Sequence, residues 1–152
     1  MAPRDTRVRA SVEIAATPKR VFFYLTDQDR VKRWQHDVVE TQPLPERLQT
    51  GMLLRSTIQE YGRRFEVEVR VAALAANEYV GYEMEAPTAS VRSEYRLVLQ
   101  GANTRVESTA VIQPKGFARF LLPLLGGLIR RKLRSRLQLL REVVEADRTF
   151  PE

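Results

Sequence analysis

The stretch Val91-Arg92-Ser93-Glu94-Tyr95-Arg96-Leu97-Val98-Leu99-Gln100-Gly101-Ala102-Asn103-Thr104-Arg105-Val106-Glu107-Ser108-Thr109-Ala110-Val111-Ile112 decides the fold. Val91, Ser93, Tyr95, Leu97 and Leu99 alternate with Arg92, Glu94 and Arg96. Beyond Gly101-Ala102-Asn103, Val106, Ser108, Ala110 and Ile112 alternate with Arg105, Glu107 and Thr109. A period of two places each set on its own face of a strand, and the glycine-containing break between them is hairpin chemistry. Two long antiparallel strands with one apolar and one charged face predict a sheet that needs a cover on one side.

The same pattern extends upstream. Val80, Tyr82 and Met84 oppose Gly81, Glu83 and Glu85, between the turn Asn77-Glu78 and Pro87. Phe65, Val67, Val69 and Val71 alternate with Arg64, Glu66, Glu68 and Arg70 after Tyr61-Gly62, and Met52, Leu54, Ser56 and Ile58 share one face of the strand before that. Val38 to Thr41 is a short strand ended by Pro43 and Pro45. Val8, Ala10, Val12 and Ile14 form the inner face of a first strand. Thr17-Pro18 then reads as an N-cap followed by proline at the first helical position, opening a short helix with Val21, Phe22 and Leu25. Asp29 is placed to cap a second short helix through Val31 and Trp34.

Downstream, Pro114 and Gly116 stop the sheet. Phe117 to Ala146 reads as helix, with Ile129, Leu133, Leu137, Leu140 and Val144 on one face; Pro123 and Gly126-Gly127 should kink or split its beginning, and Arg148 to Glu152 form a frayed tail. This last helix is the only long amphipathic element, so it is expected to lie across the sheet. Ser56, Ser93, Ser108 and Ala110 fall on the inner face. Small side chains there argue for an internal cavity; the alternative is a filled core in which the serines bond to backbone or water.

Composition limits the function. The 152 residues are 43% hydrophobic and 29% charged, enough for one domain that buries roughly 70% of its unfolded surface. With no cysteine, disulfides, thiolate metal sites and a thiol nucleophile are excluded. With His36 as the sole histidine, so is any site needing two imidazoles. No metal or cofactor is expected. The opening residues carry no apolar leader core and no stretch is long enough to span a bilayer, so a cytoplasmic location is expected. The net charge of +6 is local: Lys115, Arg119, Arg130, Arg131, Lys132, Arg134, Arg136 and Arg141 lie in a segment with no Asp or Glu. No nucleic-acid-reading motif accompanies it, so nucleic acid is not expected as a partner.

The candidate chemistry is sparse. Tyr82 and Tyr95 share the inward phase, where a phenol orients a ligand oxygen, donates a proton, or serves as a core residue with its hydroxyl at the rim. His36 is either a general acid or base at the cavity mouth or a surface residue. The inward phase of the long strands carries no charged residue, which disfavours acid–base chemistry there. The clustered Glu66, Glu68, Arg70, Glu83, Glu85, Arg92, Glu94, Arg96, Arg105 and Glu107 fall on the outward phase and read as a solvated, cross-paired face. Phe117, Phe120, Leu121 and Leu124 admit three readings: a cavity lid, a membrane or partner contact beside Arg130-Arg131-Lys132, or ordinary sheet-facing helix.

These residues also resemble a known superfamily. Val12-Glu13-Ile14-Ala15-Ala16-Thr17-Pro18 followed by Val21-Phe22, Leu25, Asp27 and Trp34 is similar to the opening of the START-like (SRPBCC) superfamily, in its polyketide cyclase/dehydrase and lipid-transport branch. Gly51, Asn103-Thr104-Arg105-Val106 and the helix bearing Leu137, Leu140 and Val144 match as well. The resemblance covers nearly the whole chain and implies a single START-like domain over 1–152 with its core at about 7–146. It implies an α+β helix-grip fold: a seven-stranded antiparallel sheet wrapped around a long C-terminal helix, with two short helices after strand 1. It further implies a lipid, polyketide or aromatic ligand held between sheet and helix. On this reading Trp34, Met52, Leu54, Ser56, Phe65, Val67, Tyr82, Met84, Ser93, Tyr95, Leu97, Ser108, Phe117, Phe120, Leu121 and Leu124 line the cavity. The alternatives are a cofactor-independent cyclase or dehydratase acting through Tyr95, Tyr82 or His36, and a membrane-surface module. The inward lysine and carboxylates of some catalytic relatives are not matched.

Overall fold

A computed structural model describes residues 5–60, 62–121 and 124–149. The chain runs β1 (Thr6–Ile14), α1 (Pro18–Thr26), α2 (Gln28–Trp34), β2 (Val38–Gln42), β3 (Leu53–Glu60), β4 (Arg63–Ala75), β5 (Tyr79–Glu85), β6 (Ala89–Gln100), β7 (Asn103–Pro114), α3 (Ala118–Leu121) and α4 (Gly126–Ala146). The strands form a seven-stranded antiparallel sheet in the order β1-β7-β6-β5-β4-β3-β2, so the meander closes its first strand against its last. This is the helix-grip arrangement.

The alternating pattern sets the register. Tyr95 on β6 faces Val80 on β5 and Ser108 on β7, and Ser93 faces Tyr82 and Ala110. The outward phase carries charges in cross-strand pairs, where Arg70 bonds Glu83 and Arg92 lies 4.0 Å from the same carboxylate; just past β7, Lys115 bonds Glu85 at 2.5 Å. Asn77 takes the left-handed conformation (φ 62°) at the β4–β5 turn, which asparagine tolerates better than most residues.

The main core lies beneath α4. Leu137, Leu140 and Val144 pack with Ile14, Val21, Tyr24, Leu25, Trp34, Val80, Tyr95, Leu97 and Val106. Helix α4 lies mainly against β1 and is tied to α1 at its far end. There Arg20 donates to the carbonyls of Val144 and Asp147, and the Tyr24 hydroxyl donates to the Asp147 carboxylate at 2.5 Å. The Tyr24 bond foremost, then the Thr149 hydroxyl and amide, hold the Asp147 carboxyl well below the usual range.

The helix expected over Phe117–Ala146, kinked or split at its beginning, is two helices, α3 and α4, with Leu122 and Pro123 between them outside the described residues. One expectation needs adjusting. The cap of α2 is Asp27 rather than Asp29: its carboxylate accepts from the amides of Asp29 and Arg30 at 3.0 and 3.2 Å, because α1 ends so close that Asp27 serves both helices. In the expected tail, Thr149 donates to Asp147 at 2.7 Å, while Phe150 to Glu152 lie outside the described residues.

Candidate ligand cavity

The site begins at the end of α1. A helix leaves its last four carbonyls without intrahelical donors, and here each finds one. The Asp27 amide bonds the Phe23 carbonyl at 2.9 Å and the Gln28 side-chain amide bonds Thr26 at 2.9 Å. The Trp34 indole bonds Tyr24 at 2.9 Å, and the Tyr82 hydroxyl bonds Leu25 at 2.6 Å. Three side chains that face the cavity thus have their polar ends committed to closing a helix. Burial pushes the Tyr82 phenol above its ordinary range, against a smaller opposing effect of Gln28; it is a fixed donor.

The cavity encloses about 270 Å³. Its floor comes from the inner faces of β2 to β6, with Val38, Thr41, Ser56, Ile58, Phe65, Val67, Val69, Met84, Val91 and Ser93. Its roof is α2, through Gln28, Val31 and Trp34, with Leu25 from α1. Ala86, Thr88 and Ala89 close one side. Helix α4 contributes Arg136. The cavity expected between sheet and C-terminal helix is therefore mostly between sheet and α2. The stripe of α4 is packed solidly into the core over the β1 side.

One end is polar. Arg136 bonds Asp37 at 2.5 Å and Lys132 bonds Glu60, so two ion pairs tie α4 across the cavity rim. Asp37, Glu60 and Arg136 all line the cavity. The Tyr95 ring packs edge-on to Trp34 with centroids 5.9 Å apart. Among the described residues its hydroxyl makes no hydrogen bond, although the residue is buried. Burial raises the Tyr95 phenol above its ordinary value; Arg136 pulls it down and Asp37 pushes it up. It remains a neutral donor, aimed at a cavity with mostly apolar walls. Thr41 and Ser56 satisfy each other at 2.9 Å.

Of the residues that the sequence assigns to a cavity, Trp34, Ser56, Phe65, Val67, Tyr82, Met84, Ser93 and Tyr95 line this space. Met52, Leu54, Leu97 and Ser108 do not. Leu54 packs with Leu48 and Val71 in a separate cluster that Met52 abuts, and Leu97 belongs to the core under α4. The inner face is longer than the cavity, so inward phase alone does not place a residue in it. Ser108 is buried between Ala10 and Tyr95, and its hydroxyl has no partner among the described residues. Ser108→Ala is therefore expected to leave stability unchanged or raise it by up to about 1 kcal/mol in urea unfolding, since an unsatisfied buried hydroxyl is lost. A loss above that size would show that the hydroxyl is bonded.

Phe117, Phe120, Leu121 and Leu124 are exposed and lie outside the cavity, so they form no lid over it here. The chain turns at Gly116, whose φ of 57° suits glycine, and α3 leaves the end of β7. His36 is exposed, its Nε2 3.0 Å from the Arg33 carbonyl; its neighbour Asp37 faces the cavity instead. Two of the missed residues left a signal. Glu60 continues the phase of Ser56 and Ile58 by one more step, and Arg136 adjoins Leu137 beside the buried stripe of α4. The placement of Gln28, Val31 and Asp37 depends on how α2 docks.

The fold agrees with comparisons to known proteins. The family model for polyketide cyclase / dehydrase and lipid transport matches residues 5–145, and the chain belongs to that family. A START superfamily protein from Mycobacterium smegmatis superposes with a TM-score of 0.74 at 17% identity, over 91% of this chain and 97% of its own. A protein from Thermus thermophilus gives 0.71 at 21% identity, over 92% and 97%. A protein of the dynemicin biosynthetic locus gives 0.70 at 15% identity, covering 94% of this chain but 48% of its own. No curated protein matches the chain.

Proposed function

We propose that this protein binds a compact hydrophobic small molecule, of aromatic or polyketide type, non-covalently in the cavity beneath α2. The observation that carries the reading is an apolar enclosure of about 270 Å³ with the unpaired Tyr95 hydroxyl at its polar end. The volume lies near the lower limit for small-molecule sites, so it favours a ligand of a few rings over a two-chain lipid. Apolar walls supply affinity, and Tyr95 orients one ligand oxygen. The Asp37–Arg136 and Glu60–Lys132 pairs are internally neutralised, which favours an uncharged ligand. Family membership supports a hydrophobic ligand without naming it.

A cyclase- or dehydratase-like enzyme has one feature in its favour: a carboxylate, Asp37, and a phenol, Tyr95, front the same cavity. Both are restrained. Arg136 holds the carboxylate in an ion pair, and burial keeps the phenol protonated.

The test is titration with naphthol, a compact aromatic alcohol, followed by Trp34 fluorescence. Tyr95→Phe should weaken binding about 5- to 10-fold, the worth of one hydrogen bond, while leaving stability in place. Tyr82→Phe should instead cost about 1 kcal/mol of stability, because it frees the Leu25 carbonyl. Unchanged affinity in Tyr95→Phe would remove its orienting role. A variant that keeps affinity but loses turnover of a polyketide-type substrate would establish the enzyme.

A further inference from the structure

We propose that the apolar surface formed by Phe117, Phe120, Leu121, Leu124, Leu125 and Leu128 docks the protein peripherally on an anionic membrane. These side chains are 79, 64, 51, 81, 42 and 54% exposed. Elsewhere among the described residues the exposed large hydrophobics are Val39, Leu44, Leu53, Val98 and Leu99, scattered over three strands and a loop, whereas these lie within one short segment. Scattered singletons are ordinary on a protein surface; a contiguous patch marks an interaction site. The two phenylalanine rings pack edge to face at 6.0 Å.

Charge selects the partner. In the segment from Lys115 to Arg141 there is no acidic residue. Lys115, Lys132, Arg136 and Arg141 are paired with Glu85, Glu60, Asp37 and Glu145. Arg119, Arg130, Arg131 and Arg134 make no ion pair among the described residues; Arg119 lies over the Phe120 ring at 5.3 Å. Of the unpaired guanidiniums, Arg119 thus stacks on an exposed ring, and Arg130, Arg131 and Arg134 follow Leu128 on the first turns of α4. A second copy meeting this patch face to face would bring arginines against arginines. A bilayer with anionic headgroups accepts both features at once, apolar side chains below and guanidiniums at headgroup level. No described helix is long and apolar enough to cross a membrane, so the contact is peripheral.

The patch also adjoins the cavity rim. Lys115 donates its amide to the Thr88 carbonyl at 2.8 Å, and Pro114 pairs with Ala89; Thr88 and Ala89 line the cavity. A docked molecule turns that rim towards the bilayer.

The experiment is co-sedimentation with vesicles of phosphatidylcholine alone or with about 30% phosphatidylserine. Wild type should sediment with the anionic vesicles and be released by high salt. The double variant Arg130→Glu/Arg131→Glu should bind at least about 10-fold more weakly, since each basic side chain near such a surface is worth about fivefold. Phe117→Ser/Phe120→Ser alters only exposed rings, so its circular dichroism should match wild type while its vesicle binding falls about 10-fold or more. Failure of wild type to sediment, or equal binding by wild type and both variants, would overturn the proposal. A dimer that the phenylalanine variant dissociates, with no vesicle binding, would reassign the patch to a second copy of the chain. No cavity ligand enters this assay, so its outcome is independent of the cavity reading.

Discussion

Replacing Ser93 with phenylalanine is expected to abolish naphthol binding, lowering affinity at least about 100-fold, while the protein still folds. Ser93 lies on β6 between Tyr82 and Ala110 of the neighbouring strands and faces the cavity. A benzyl group there projects into about 270 Å³ of empty space, so it displaces a ligand and not a packed neighbour. Overpacking in a filled core costs about 1–3 kcal/mol, and a side chain entering a void should fall below that range. Ser93→Ala, which leaves the space open, should bind like wild type. The pair of variants separates occupancy from polarity at the same position. If Ser93→Phe binds naphthol as wild type does, the ligand is not in this cavity. If it fails to fold, the space is smaller than the structure gives, and the binding reading loses its carrying observation.

The sheet was legible because its signal is local. Each strand between Leu53 and Pro114 carries its own alternation, and a one-residue slip would bury the row from Arg92 to Arg96. The capped helix at Pro18 and the stripe from Leu133 to Val144 were equally plain. What could not be read was the division of the inner face into core and cavity. Leu97 and Tyr95 have the same phase on the same strand and join the same core, yet only Tyr95 also lines the cavity. The difference is which helix lies above each, a matter of long-range docking. The polar end was hidden for a related reason. Asp37 comes from a loop, Glu60 from the last step of β3, and Arg136 from a helix far along the chain. Their meeting is visible only once α4 has been laid across the rim. Small inner side chains mark space only where nothing else fills it: Ser56 and Ser93 border the cavity, whereas at Ser108 packing from β1 closes the gap.

Trp34 joins those two territories, and Trp34→Ala should show the largest loss of stability, about 3–5 kcal/mol. The side chain is 1% exposed, packs in the cluster beneath α4, meets Tyr95 edge to face, and forms part of the cavity roof. Removing it takes away the ring that divides core from cavity. It also strips the buried Tyr24 carbonyl at the end of α1 of its donor. Trp34→Phe separates the two effects: it keeps most of the packing and loses the hydrogen bond, so it should cost about 1–3 kcal/mol. Because Trp34 is the sole tryptophan, unfolding of both variants must be followed by far-ultraviolet circular dichroism in urea. Alanine truncation that costs under about 1 kcal/mol would mean that the indole does not close the core. Equal losses in the two variants would mean that the indole N–H bond, and not ring volume, carries the whole effect. The expected ordering, alanine well below phenylalanine and phenylalanine below wild type, follows from one residue that fills space on both sides and closes a helix at its polar edge.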